Sequence, residues 1–135
     1  MLKNWKKLLF IFIIVAIFYG GCNTNGMLAT EEFFRVKNPK LSMTPKVCYT
    51  LATSAFRTFR YKLSIEITER NLKDFPYESA AVDAKYRRAV AYEKLGKYKK
   101  AVGLYEAFMF ENPKDNRYKR IVTKISKLRA LHLEE

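Results

Sequence analysis

Histidine is almost missing from this chain of 135 residues: His132 is the only one. No paired acidic motif, glycine-rich phosphate loop or metal-ligand spacing makes up for it, so no catalysis, no metal and no cofactor are expected. Glycine and proline are also scarce, at 5 and 4 residues, which excludes a collagen-like or low-complexity chain. Apolar residues make up 49%, enough for a core in a single all-α domain. Acidic residues number 13 against 26 Lys and Arg, so the chain is strongly basic. Such a balance suits an acidic protein, an anionic membrane surface or nucleic acid. The last is not expected, because no aromatic RNA-binding run, zinc spacing or helix-turn-helix pattern is visible.

The amino terminus narrows the choice further. Met1 to Lys7 carries three lysines, and Leu8 to Tyr19 is an uncharged, mostly large apolar run of twelve residues. At a rise of about 1.5 Å per residue such a run spans about 18 Å, short of the roughly 30 Å of hydrocarbon a permanent span must cross. This is the pattern of an export signal over residues 1–21. Gly20 and Gly21 place small side chains just before Cys22, and the stretch Tyr19-Gly20-Gly21-Cys22 resembles a lipobox. It departs from the common form at Tyr19, where Leu is usual. The resemblance implies a lipid on Cys22, and the absence of Asp at Asn23 favours sorting to the periplasmic face of the outer membrane. Loss of Lys3, Lys6 and Lys7 with the signal leaves 23 cations against 13 anions. Cys48 is then the one remaining thiol and reads as a small core residue.

Residues 22–43 mix Asn, Thr, Gly, Lys and Pro with little periodicity, as a flexible tether would, although Phe33 and Phe34 are candidates to dock on the domain. The folded part is expected over 44–135. Thr44 followed by Pro45 signals a helix start, with the hydroxyl as a cap. Helices are expected at Pro45–Thr58, Tyr61–Asp74, Ser79–Leu95, Lys97–Asn112 and Asn116–Leu133, broken at Phe59-Arg60, Pro76, Gly96 and Pro113. Short connections make neighbours antiparallel. Ion pairs four apart are expected for Glu66 with Arg70, Glu69 with Lys73, Asp83 with Arg87 and Glu93 with Lys97.

Pro113 follows Pro76 by 37 residues, which suggests a repeat. Counting from Val82, the positions of Ala89, Tyr92, Gly96, Tyr98, Ala101, Tyr105 and Pro113 resemble those of a tetratricopeptide repeat, with Lys85 and Phe108 departing from it. Ala52, Ala55, Tyr61, Ser64, Thr68 and Pro76 form a degenerate earlier copy. The expected fold is therefore about two tetratricopeptide-like antiparallel helix pairs, capped by the helix from Asn116.

A lipobox followed by Tyr61-Lys-Leu-Ser-Ile-Glu66, Leu72-Lys-Asp-Phe-Pro76, Tyr98-Lys-Lys-Ala-Val102, Phe108 and Pro113 resembles the BamD family of outer-membrane assembly lipoproteins, over Cys22 and about Pro45 to Ile125. The chain would be a truncated member with about half the usual repeats. The resemblance implies a part in assembling β-barrel proteins, with a POTRA-bearing barrel subunit as partner and membrane attachment through Cys22. That family's partner-binding arginines lie in later repeats, so Arg117, Arg120 and Arg129 have no counterpart there. By helical position, the groove of such a superhelix would present Tyr49, Thr53, Phe56, Asp83, Tyr86, Val90, Glu93 and Lys94. A second candidate surface is the basic last helix, with Arg117, Lys119, Arg120, Lys124, Lys127 and Arg129. The rival expectations are a secretin pilot lipoprotein and a Tol-Pal-linked envelope factor, both non-catalytic.

Overall fold

The computed structural model describes residues 23–132; the stretch in which an export signal and a lipidated Cys22 are expected lies outside the described residues. The described chain is all-α. Its helices are α1 (Thr24–Glu32), continued by a π-helical turn (Phe33–Lys37), then α2 (Thr44–Arg57), α3 (Tyr61–Asp74), α4 (Ala80–Lys94), α5 (Tyr98–Glu111) and α6 (Tyr118–His132). The last five end within two residues of where proline, glycine and periodicity place them. Thr44 does not cap α2: its hydroxyl donates to the Asn38 carbonyl at 2.8 Å, and Met43 takes the cap position without a side-chain bond.

Helices α2 and α3 form one antiparallel pair, and α4 and α5 the next. Helix α4 packs on both α3 and α2, and α6 packs on α5. The fold is thus a tetratricopeptide-like stack of two helix pairs closed by a carboxyl-terminal helix. Ala89 and Ala101 are fully buried where α4 crosses α5, because only a small side chain fits between two backbones at that approach. Around them Tyr92, Val102, Tyr105, Phe108, Ile121, Ile125 and Leu128 join α4, α5 and α6 into the largest core.

The tether expected over 22–43 is not what the structure shows, since residues 24–37 are helical. Asn23 caps α1 by accepting from the Gly26 amide at 2.6 Å. Met27 is fully buried against a cluster of Ala52, Ala55, Leu63 and Ile67. Glu31, only 2% exposed, accepts from Nε and Nη2 of Arg70 in α3, the first at 2.8 Å, and sits 3.2 Å from Arg35. A methionine and a bidentate ion pair therefore hold this segment, a mix that has no apolar periodicity to read. Phe33, a candidate for docking, is half exposed, and its ring meets Phe34 edge-on at 5.4 Å.

The same segment obeys the repeat, whose backbone step is 37 residues. Asn38, Phe75 and Asn112 have φ/ψ of −132°/50°, −132°/56° and −130°/62°. Each precedes a proline, and each amide donates four residues back, to Phe34, Asn71 and Phe108, at 3.2, 2.7 and 2.9 Å. The next two bonds recur in step as well: Leu41, Glu78 and Asp115 donate to Asn38, Phe75 and Asn112, and Thr44, Ala81 and Tyr118 donate to Leu41, Glu78 and Asp115. Residues 24–37 are the counterpart of α3 and α5, the second helix of a preceding unit.

All the turns from a first to a second helix fall at one end of the stack. Phe59 and Gly96 make the left-handed step there, with φ of 60° and 72°. The start of α1 lies at that end too, because Thr24 and Leu28 line one depression with Phe59, Lys62 and Leu95. So does the end of α6, where His132 stacks on Tyr98 at 3.8 Å. The proline junctions lie at the other end, where Arg35 meets Asp74 at 3.2 Å.

Candidate partner-binding cleft

Helices α4 and α6 are both first helices, lying side by side over α5, and the residues singled out in the sequence meet along the seam between them. Glu93 of α4 accepts from Lys124 of α6 at 2.9 and 3.0 Å and from the Tyr105 hydroxyl beneath at 2.6 Å. Burial and the Glu93 carboxylate together push the Tyr105 hydroxyl far above its usual range, so it remains a fixed donor. One turn away Arg120 donates to the Tyr86 hydroxyl at 2.7 Å. Between and beyond these contacts a depression of about 650 Å³ opens, lined by Glu93 and Lys94 of α4 and by Arg120, Thr123, Lys124, Lys127 and Leu131 of α6, with Tyr98 and His132 at its end. Of the expected groove Glu93 and Lys94, and of the expected basic surface Arg120, Lys124 and Lys127, line this one cleft.

Several candidates turn out to be structural. Tyr49 is buried, and its hydroxyl donates to the Phe75 carbonyl at 2.9 Å; burial pushes its ionisation up to about 12. It closes the first pair and does not present a surface. Phe56 and Val90 are half-buried against the largest core. Thr53 accepts from Arg87 at 2.8 Å, tying α2 to α4, and burial holds the Arg87 guanidinium below its usual range. Asp83 pairs with Arg117 at 2.7 Å.

Arg117 is a staple. It grips both Asp115 oxygens through Nε and Nη2, each at 2.7 Å, and its guanidinium lies 4.9 Å from the Tyr86 ring centre and 5.0 Å from that of Phe108. The Arg117 guanidinium in turn holds the Asp115 carboxyl down at about 2. Arg129 pairs with Glu106 at 2.5 Å. Of the expected basic surface, Lys119, Arg120 and Lys127 have no ion pair among the described residues, and Lys94 of the expected groove joins them. The cleft therefore offers three cations, Lys94, Arg120 and Lys127, beside Leu131 and Tyr98, a surface for a segment carrying carboxylates next to apolar side chains.

Three of the four ion pairs expected within helices give way to pairs between helices. Glu66 does bond Arg70, at 2.6 Å. Glu69 instead accepts from the Tyr92 hydroxyl at 3.1 Å and lies 3.9 Å from Arg88, Asp83 takes Arg117, and Glu93 takes Lys124. Cys48, expected in the core, is fully buried, and desolvation raises its thiol to about 11, so it is not a nucleophile at neutral pH. Thr123, Leu131, Tyr98 and His132 were not singled out from the sequence as cleft residues. A 37-residue step takes Tyr86 to Thr123 and Lys94 to Leu131, so the register contains that information. No protein-family model matches the chain, and no curated protein matches it.

Proposed function

We propose that this chain is a non-catalytic, lipid-anchored protein that binds a partner through the cleft between α4 and α6, and that it belongs to the machinery assembling β-barrel proteins at the outer membrane. The cleft carries the reading. Its cations are displayed on a rigid pair of first helices, fixed from below by Tyr105 and Glu93, which is how a helical repeat presents a surface for an extended or helical segment. The resemblance of the repeat phrases to the BamD family supplies the partner, a barrel subunit with POTRA domains, and Cys22 supplies the anchor.

The test is a mild-detergent pull-down of the tagged full-length protein from its native membrane. Recovery of a POTRA-bearing barrel subunit, lost when Arg120→Glu and Lys127→Glu are combined, supports the assembly role. Recovery of a secretin, or of no protein at all, overturns it.

A further inference from the structure

The two ends of the helix stack differ in charge. At the proline junctions, residues 36–42, 73–79 and 110–116 carry Lys37, Lys40, Lys73 and Lys114 balanced by Asp74, Glu78, Glu111 and Asp115. At the opposite end, residues 57–62 carry Arg57, Arg60 and Lys62, residues 94–100 carry four lysines, and neither stretch contains a carboxylate. Of the acids nearby, Glu93 is occupied by Lys124 and Tyr105, and Glu66, which lines the depression beside Phe59 and Lys62, is held by Arg70. Among these cations stand two exposed apolar side chains, Phe59 at 78% and Leu131 at 62%. Phe59 is exposed although its backbone is in a conformation that glycine would adopt more readily, as Gly96 does one unit later.

The chain enters the domain at this same end. Asn23, the residue after Cys22, caps α1, and Thr24 and Leu28 share a depression with Phe59 and Lys62. Immediately before it come Cys22 and the apolar run Leu8 to Tyr19. Whichever of the two holds the chain to a bilayer, α1 begins within a few residues of it in the sequence.

We propose that this turn end is a membrane-docking face, seated on a bilayer containing anionic lipid. The lysines and arginines lie at headgroup level, and Phe59, which lies outside the cleft, inserts among the first carbons of the acyl chains. Charge complementarity and the point of chain entry select a bilayer over an acidic protein, because a partner there would compete with the surface to which the chain is attached. The proposal rests on residues 1–22 being the membrane-attached part, but it requires neither the cleft's partner nor a lipid on Cys22.

The experiment is lysine footprinting of the full chain, purified from the membranes in which it is made. It is reconstituted into vesicles of phosphatidylcholine alone or with a minority of phosphatidylglycerol, and labelled with a membrane-impermeant amine reagent. Lys62, Lys97 and Lys99 report the turn end, and Lys40, Lys73 and Lys114 the opposite end. On anionic vesicles the first group should label on the order of threefold more slowly, with the second unchanged, and salt near 1 M, where the screening length is about 3 Å, should abolish the difference. Equal labelling at both ends overturns the proposal. Protection of equal size on phosphatidylcholine alone, or protection that appears only when an acidic protein is added, overturns it too. The mass of the Cys22 peptide reads acylation separately: protection of the turn end with an unacylated Cys22 leaves the docking face standing and removes only the lipid anchor.

Discussion

Phe59 and Gly96 hold the same place in successive units, and both stand in the left-handed region, with φ of 60° and 72°. A phenylalanine in that region is strained by about 1 kcal/mol, whereas glycine is not. Phe59→Gly is expected to stabilise the fold by about that amount, and Gly96→Ala to destabilise it by a similar amount although open space surrounds the added carbon. Chemical denaturation of the two variants checks both signs. If Phe59→Gly also weakens attachment to anionic vesicles, its strained conformation is retained for docking.

Asn71 is fully buried and neither atom of its amide has a hydrogen-bond partner among the described residues. One unit later its place is taken by Phe108, at the centre of the largest core. An unpaired buried amide costs about 1–3 kcal/mol, so Asn71→Leu is expected to raise the unfolding free energy by about that range. A lower midpoint of thermal unfolding for the variant would show that the amide has a partner in solution.

Glu31 anchors α1 through Arg70, and removing one partner leaves the other charge buried. Arg70→Ala is expected to destabilise the protein by about 3 kcal/mol. Hydrogen exchange gives the sharper check, because amides 27–37 should lose protection while those of α4 and α5 keep it. Arg70→Lys should not restore the loss, since an ammonium cannot reproduce the bidentate grip.

The acid limb of stability has an identifiable owner. The folded pKa of Asp115, about 2, lies below the usual 3.8, so its contribution is present above pH 4 and is lost as the pH falls towards 2. Unfolding free energy measured down that range should drop for the native protein. In Asp115→Asn the stability should start lower at neutral pH and lose less on acidification.

The five later helices were legible because their ends are marked by residues with few alternatives, Pro45, Gly96 and Pro113 among them. The small alanines at 89 and 101 marked the crossing of α4 and α5 for the same reason. Helix α1 was hidden because it is held by Met27 and the Glu31–Arg70 pair, neither of which gives a periodic apolar pattern. Pro39 stands 37 residues before Pro76, and that single spacing was the trace it left. Within the cleft, Glu93 and Lys124 were both visible as candidates. Their pairing was not, since a carboxylate with a cation four residues on looks the same whether it bonds along its own helix or across to the next.

The 37-residue step carries the first described unit back to residue 24, and this sets a height. Helices of 14 or 15 residues stand about 21 Å tall. With the turn end seated on headgroups, the depression beside Glu93 and Lys127 opens within the lower part of that height. A partner must then bring its acidic segment down to the bilayer surface to engage. Proteins free in the aqueous space would be turned away by geometry alone, and those already embedded in the same membrane would meet the cleft in a search confined to two dimensions.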